Sequence, residues 1–159
     1  MLTIRPATPD DAALIHRFVS ELALYEREPQ SVTATPDDYR RQMAEARPPF
    51  ECFIAEWDGE AAGFALCFHN YSTWKGKKGL YLEDLYVTPI MRGKGIGEAM
   101  LRHLAKIALE RDCARFEWAV LDWNTPAIGF YEKLGAKPMS EWTVFRVDGD
   151  ALKALASSG

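Results

Sequence analysis

The sequence predicts an α/β fold: one mixed β-sheet flanked by helices on both faces, in a single domain over residues 1–159. Three observations carry that reading. Short apolar runs of strand length alternate along the chain with segments whose apolar residues recur at helical spacing. An Asp58-Gly59 dipeptide joins two apolar runs, the signature of a hairpin. An apolar run ending at Val87 passes through the basic, glycine-rich stretch Arg92-Gly93-Lys94-Gly95-Ile96-Gly97 into a long amphipathic segment. At 159 residues the chain is long enough to bury a substantial core.

Each element has a local reason. Leu2 and Ile4 alternate with polar neighbours and Pro6 closes a short first strand. Thr8-Pro9-Asp10-Asp11 is a helix start, and Leu14, Ile15, Phe18, Val19 and Leu22 continue it, so the spacing predicts one helix over 9–25. Thr35-Pro36-Asp37-Asp38 repeats the start signal for a second helix to about Ala46. Residues 50–57 and 60–70 form the hairpin, and Ala61–Phe68 reads as a strand buried on both faces. A polar, lysine-bearing turn fills 70–79, and Gly79–Val87 is the next strand. A helix from Gly97 to about Arg111 follows, then a strand over Arg115–Leu121. Thr125 as cap and Pro126 at the first position open another helix, which Gly135 ends. Lys137–Met139 and Thr143–Val147 read as two last strands, followed by a short helix over Gly149–Ala156.

Composition narrows the function. A net charge of −4 argues against broad nucleic-acid or anionic-membrane binding, which needs a basic face, and suits a cationic substrate. Cys52, Cys67 and Cys113 are odd in number and set among apolar residues, which reads as free thiols in a reducing compartment. No metal-ligand spacing is present. The N-terminal residues have no signal-peptide character and no run approaches membrane-spanning length, so the expected location is cytoplasmic. His16, His69 and His103 are isolated and read as structural.

The glycine stretch is the main functional signal. A strand, a glycine loop and a helix start converge backbone N–H groups and the positive end of the helix dipole on one point. Gly93, Gly95 and Gly97 leave room for a ligand, and Arg92 and Lys94 add charge. A Walker loop does not fit, because Gly95 follows Lys94 where Ser or Thr is needed. A dinucleotide fingerprint does not fit either, because the three glycines are spaced two and two rather than two and three, although Glu117 lies at a suitable distance. A pyrophosphate remains the expected ligand.

Arg92-Gly93-Lys94-Gly95-Ile96-Gly97 resembles the acetyl-CoA signature of the GNAT N-acetyltransferases. Leu82-Glu83-Asp84, Trp123-Asn124-Thr125-Pro126, Phe130-Tyr131 with Gly135-Ala136, Ile4-Arg5-Pro6-Ala7-Thr8, and Glu21-Leu22-Ala23 with Tyr25-Glu26 together resemble its spermidine/spermine (diamine) branch. The resemblance implies a single GNAT acyltransferase fold and transfer of acetyl from acetyl-CoA, with no metal, to a primary amine by direct attack in a ternary complex. It assigns the pyrophosphate to the backbone of Arg92, Gly93, Lys94, Gly95, Ile96, Gly97 and Glu98. It pairs the pantetheine arm with Leu85, Tyr86 and Val87, and adds Asn124, Pro126, Ala127 and Tyr131 to the cofactor contacts. Tyr131 matches the general acid that protonates the leaving thiolate. Glu83 matches the carboxylate that receives the amine's proton, directly or through water. Tyr25, Glu26, Glu83 and Asp84 match the substrate contacts, and Trp74 and Trp142 are placed at the substrate channel or a subunit contact. Because neighbours on a strand alternate, at most one of Glu83 and Asp84 is expected to face the cleft.

The amine itself stays open between a polyamine and a thialysine- or lysine-like amino acid. Lys75, Lys77 and Lys78 make the turn before Glu83 more basic than the branch pattern, which disfavours a polycation if they line the mouth of the site. The resemblance also implies a homodimer, with residues 140–148 as a C-terminal strand at the partner. Two alternatives stand beside this reading: a non-catalytic acyl-CoA-binding regulatory protein, and a protein or peptide N-acetyltransferase.

Overall fold

The computed structural model describes residues 1–157. The chain divides into two compact units, Met1–Leu121 and the residues from Asp122 onward.

The first unit is built on a five-stranded sheet: β1 (Leu2–Pro6), β2 (Glu51–Trp57), β3 (Glu60–Ser72), β4 (Lys77–Val87) and β5 (Phe116–Trp118), in that spatial order. β1 to β4 pair antiparallel, and β5 joins β4 in parallel. The β2–β3 turn is the expected one: Asp58 and Gly59 both have positive φ, 50° and 84°. β3 and β4 extend beyond the predicted strands, leaving only a tight turn between Ser72 and Lys77.

Helices α1 (Ala12–Tyr25) and α2 (Pro36–Met43) cover one face of the sheet, and α3 (Ile96–Glu110) covers the other. The side-chain alternation settles this. Ile54, Phe64 and Tyr86 are partners across β2, β3 and β4, and they pack with Ile15 and Phe18 of α1. Their neighbours Phe53, Ala65 and Leu85 point the opposite way, where Phe53 meets the ring of His103 on α3 at 5.1 Å. Phe18 is fully buried, stacked on Phe64 with centroids 5.7 Å apart and tilted to Tyr86 at 5.9 Å.

The helix starts follow the predicted chemistry with one refinement. Pro9–Asp11 is a 3-10 turn before α1, where Asp11 accepts from the Thr8 N–H at 2.8 Å and from Arg5 at 2.9 Å. That guanidinium, with the Thr8 backbone, holds the Asp11 carboxyl below its usual range. At α2, Thr35 and Asp38 form the reciprocal capping box, and the helix stops at Met43, short of Ala46.

The second unit holds α4 (Thr125–Lys133) and α5 (Gly149–Ser157). Asn124, not Thr125, caps α4: its Oδ1 accepts from the Ala127 N–H at 3.4 Å. Gly135, at φ 98°, ends the helix as expected. The two predicted strands over 137–139 and 143–147 are not formed, and β5 is shorter than Arg115–Leu121. A strand needs a neighbouring strand to bond with, and the second unit supplies none among the described residues. Val144 and Phe145 are instead 89% and 92% exposed. Among the described residues no helix is long and apolar enough to cross a membrane.

Candidate active site

The site is assembled at the C-terminal end of β4. Leu66 and Cys67 are adjacent on β3, yet they pair with Asp84 and Leu82 on β4. Glu83 is therefore the extra residue of a β-bulge. The bulge breaks the alternation on which the sequence reading relied. Leu82 shares a cross-strand row with Cys67, toward α3, while Asp84 shares one with Leu66 and Cys52, toward α1.

Glu83 is exposed, and Asp84 is half-buried. Glu26, just past the end of α1, is close enough to both for their charges to interact. Burial first, then Glu83, then Glu26, push the Asp84 carboxyl up to about 7. Burial first, then Glu83, push Glu26 up. Among the described residues none of the three carboxylates has an ion-pair partner. The three acids thus share this end of β4, with no paired cation among the described residues.

The sign of the Asp84 shift sets a pH dependence. In the folded chain Asp84 stays protonated to higher pH than in the unfolded chain, where its reference value is 3.8. Folded protein therefore binds more protons across that window, so stability falls as pH rises from about 4 to about 7 and then levels off. Asp84→Asn is expected to stabilise by on the order of 1–2 kcal/mol at pH 8 and by nothing at pH 4, read from melting curves at both. A lower melting temperature at pH 8 would mean that the ionised carboxylate has a stabilising partner.

The lysine-rich turn does not lie at this site. Lys77 pairs with Asp112, just past the end of α3, at 2.9 Å, and the Lys78 carbonyl accepts from Ala114. Both lysines belong to the opposite end of β4, roughly 15–20 Å from Glu83 at strand spacing. No lysine appears among the charges acting on Glu26 or Asp84. The inference from Lys75, Lys77 and Lys78 to a substrate other than a polycation therefore loses its basis.

β5 pairs with β4 only at Leu80, Tyr81 and Leu82, so residues 83–87, including Leu85, Tyr86 and Val87, run on past the last pairing. That leaves a strand edge of the kind an extended ligand can bond to. A 3-10 turn, Pro89–Met91, then leads into the glycine loop. Gly93 and Gly95 have φ of 82° and 78°, a backbone that side chains rarely adopt, and Gly95 caps α3. Gly97 has neither constraint. A Cβ there would meet nothing within 4 Å, and the same holds at Gly93 and Gly95. The N–H groups of Ile96, Gly97 and Glu98 are in the first turn of α3.

Both basic side chains of the loop are turned onto aromatic rings. The Arg92 guanidinium lies 5.4 Å from the Tyr25 centroid and 5.8 Å from that of Tyr86, and its Nε donates to the Val87 carbonyl at 3.1 Å. Lys94 sits 5.0 Å over Trp57. Arg92 thus joins the glycine loop to Tyr25 at the end of α1. Tyr86 donates its hydroxyl to Glu21 at 2.7 Å, and burial followed by that carboxylate pushes its phenol up to about 12. Glu98 is engaged by Arg102 at 3.0 Å.

In the second unit, Asn124 caps α4, Pro126 and Ala127 lie in its first turn, and Tyr131 is half-buried beside Phe130, centroids 5.6 Å apart. Trp74 and Trp142 are exposed. His16 Nε2 meets the Ala34 carbonyl at 3.0 Å, His69 lies beside Arg111, and His103 packs on Phe53. Cys52 and Cys67 are buried free thiols, pushed up by burial. A groove of about 370 Å³ beside Pro6, Met43, Phe50 and Ile107 contains none of the expected site residues. Among the described residues no group of three or more His, Cys, Asp or Glu is arranged to hold a metal.

Comparison with known proteins shows the family and the fold. A profile of the acetyltransferase (GNAT) family matches residues 16–136. The chain is 38% identical to the thialysine N-epsilon-acetyltransferase of Sus scrofa, over 96% of each protein. It is 32% identical to an L-ornithine N5-acetyltransferase of Arabidopsis thaliana, over 96% of this chain and 86% of that one. An integron cassette protein from the mobile metagenome of V. cholerae has the same fold, with a TM-score of 0.81, 26% identity, and coverage of 99% and 98%.

Proposed function

The chain belongs to the acetyltransferase (GNAT) family, whose chemistry is acetyl transfer to an amine, and from that premise we propose that it takes acetyl from acetyl-CoA and gives it to one amine of a small diamine. Thialysine-like and ornithine-like amino acids and polyamines all fall in this class, since each carries at least two amines. The observation that carries the reading is the group of Glu26, Glu83 and Asp84, three carboxylates with no ion-pair partner among the described residues. One ammonium does not need three.

The donor fits the residues around the glycine loop. Backbone N–H groups of residues 93–98 bind the pyrophosphate, with Gly97 leaving the approach clear. Residues 85–87 offer a strand edge to the pantetheine arm, and the Val87 N–H or its neighbour polarises the thioester carbonyl. Glu83 receives the amine's proton, directly or through water. Its exposure at the bulge leaves it open to the amine and to water, while the half-buried Asp84 binds the second amine. Tyr131 protonates the departing thiolate, and Asn124, Pro126 and Ala127 shape the cofactor contact.

Gly97→Ala separates a structural glycine from a cofactor glycine. Its Cβ has open space in the protein, and alanine favours the helix by about 0.5–1 kcal/mol. The variant is expected to melt at or above the wild-type temperature while its KM for acetyl-CoA rises about tenfold. An unchanged KM would remove Gly97 from the cofactor site.

Function is tested by thiol release from acetyl-CoA over a panel of polyamines, thialysine, ornithine, monoamines and peptides. Turnover concentrated on the diamines supports the proposal. Tight acetyl-CoA binding with no turnover would point to a regulatory protein, and turnover on peptides alone to a protein acetyltransferase. We also propose a homodimer, supported by the exposed Trp142, Val144 and Phe145. A monomeric mass at micromolar concentration would contradict it.

A further inference from the structure

Arg92 opens the glycine loop, and three contacts hold its side chain. The guanidinium lies 5.4 Å from the centroid of the Tyr25 ring and 5.8 Å from that of Tyr86, and Nε donates to the Val87 carbonyl at 3.1 Å. Two of these anchors are on β4, and the third is the last residue of α1. Tyr86 is itself fixed, because its hydroxyl donates to Glu21 of α1, which Arg17 holds at 3.0 Å. One planar cation therefore joins the end of β4, the start of the loop and the last turn of α1.

The end of α1 has a defined shape. Glu26 caps it, with its N–H on the Leu22 carbonyl, and Arg27 follows at φ 66°, the left-handed position that glycine usually fills. The Glu28 N–H then closes on the Ala23 carbonyl at 2.9 Å. This closure leaves the Glu26 backbone little freedom of its own, so what fixes Tyr25 also fixes Glu26. An arginine that binds pyrophosphate presents its fork of N–H groups to the oxygens. A guanidinium over two rings, with Nε on a carbonyl, is committed to the protein instead.

This inference rests on the reading that residues 93–98 hold the pyrophosphate and that the amine binds beside Glu26. We propose that Arg92 is a positioning residue rather than a pyrophosphate ligand, acting through Tyr25 and the Val87 carbonyl to hold the donor's strand edge and the amine-binding end of α1 at a fixed separation. The strand edge at 85–87 and Glu26 belong to different elements, and reaction depends on how closely the two bound reactants are held. Lysine supplies the same charge on a flexible stem, with neither the plane nor the Nε donor.

The test compares two donors, acetyl-CoA and S-acetylpantetheine, with 1,5-diaminopentane as acceptor. The second donor carries the same thioester and arm without the pyrophosphate. Arg92→Lys is expected to lower kcat/KM about 10- to 100-fold, by the same factor with both donors. A loss confined to acetyl-CoA, or no loss, would overturn the inference and leave the pyrophosphate reading standing. Wild-type enzyme that uses both donors equally well would overturn the pyrophosphate reading, while the ratio of variant to wild type still reports on Arg92. Tyr25→Leu removes the ring, and the double variant is expected to lose no more than about twofold beyond Arg92→Lys alone. Fully additive losses would overturn the inference. Amide hydrogen exchange reads the same tie without turnover: Arg92→Lys is expected to speed exchange at the Glu26 and Glu28 amides about tenfold, with α2 unchanged. Unchanged exchange at these two amides, or faster exchange throughout the sheet, would contradict the role assigned to Arg92.

Discussion

Tyr131→Phe is expected to lower kcat by about 10²- to 10⁴-fold at neutral pH, the range for removing a positioned general acid. KM for acetyl-CoA should stay within about threefold, because the ring and its place on α4 are kept. The substitution deletes one oxygen and no apolar surface, and melting curves are recorded beside the kinetics. Tyr131 is half-buried beside Phe130 on a helix whose start is fixed by the Asn124 cap. A phenol suits the task, since its O–H can be donated to a departing thiolate. The loss should shrink with activated thioester donors whose thiolates leave without protonation. Equal losses with all donors would assign Tyr131 to binding, and intact turnover would remove it from the chemistry.

Gly63→Ala is expected to be the most damaging single change in the sheet. A Cβ at Gly63 would stand 2.2 Å from the Tyr86 carbonyl oxygen and 3.1 Å from the Val87 Cα. Both are backbone atoms of β4, so no side chain can turn aside. Relief requires moving the end of β4 away from β3, at a cost on the order of 3 kcal/mol and a fall of roughly 10 °C in melting temperature. Gly63 pairs with Val87, so the displaced segment is the strand edge proposed to hold the pantetheine arm. Acetyl-CoA affinity should fall with stability. Gly79→Ala is the control: its closest contact, at 2.4 Å, is the side-chain oxygen of Asn70, which can rotate, so the loss should be much smaller. Equal damage from the two would mean that the β3–β4 spacing is not what Gly63 protects.

Much of the fold is legible in the sequence because its signals are local. The Asp58-Gly59 turn and the Thr35/Asp38 capping box each follow from residues within one turn of the feature they set, while α3 starts at Ile96 behind the Gly95 cap, one residue ahead of the expected Gly97. What is not legible depends on pairing across the sheet. The bulge at Glu83 arises from how β3 registers against β4, and no pattern within 79–87 announces it. That register decides that Asp84 faces α1. The lysine-rich turn misled for the same reason: closeness in sequence to Glu83 is not closeness in space along an extended strand. The stretches 137–139 and 143–147 carry strand composition, but composition supplies no partner to bond with.

The most direct test is a crystal structure with coenzyme A and a diamine bound together. The account predicts the pyrophosphate on the N–H groups of residues 93–98, one amine nitrogen beside Glu83, and the second between Asp84 and Glu26. A diamine bound away from these three carboxylates, with coenzyme A in the glycine loop, would contradict the assignment of the amine site.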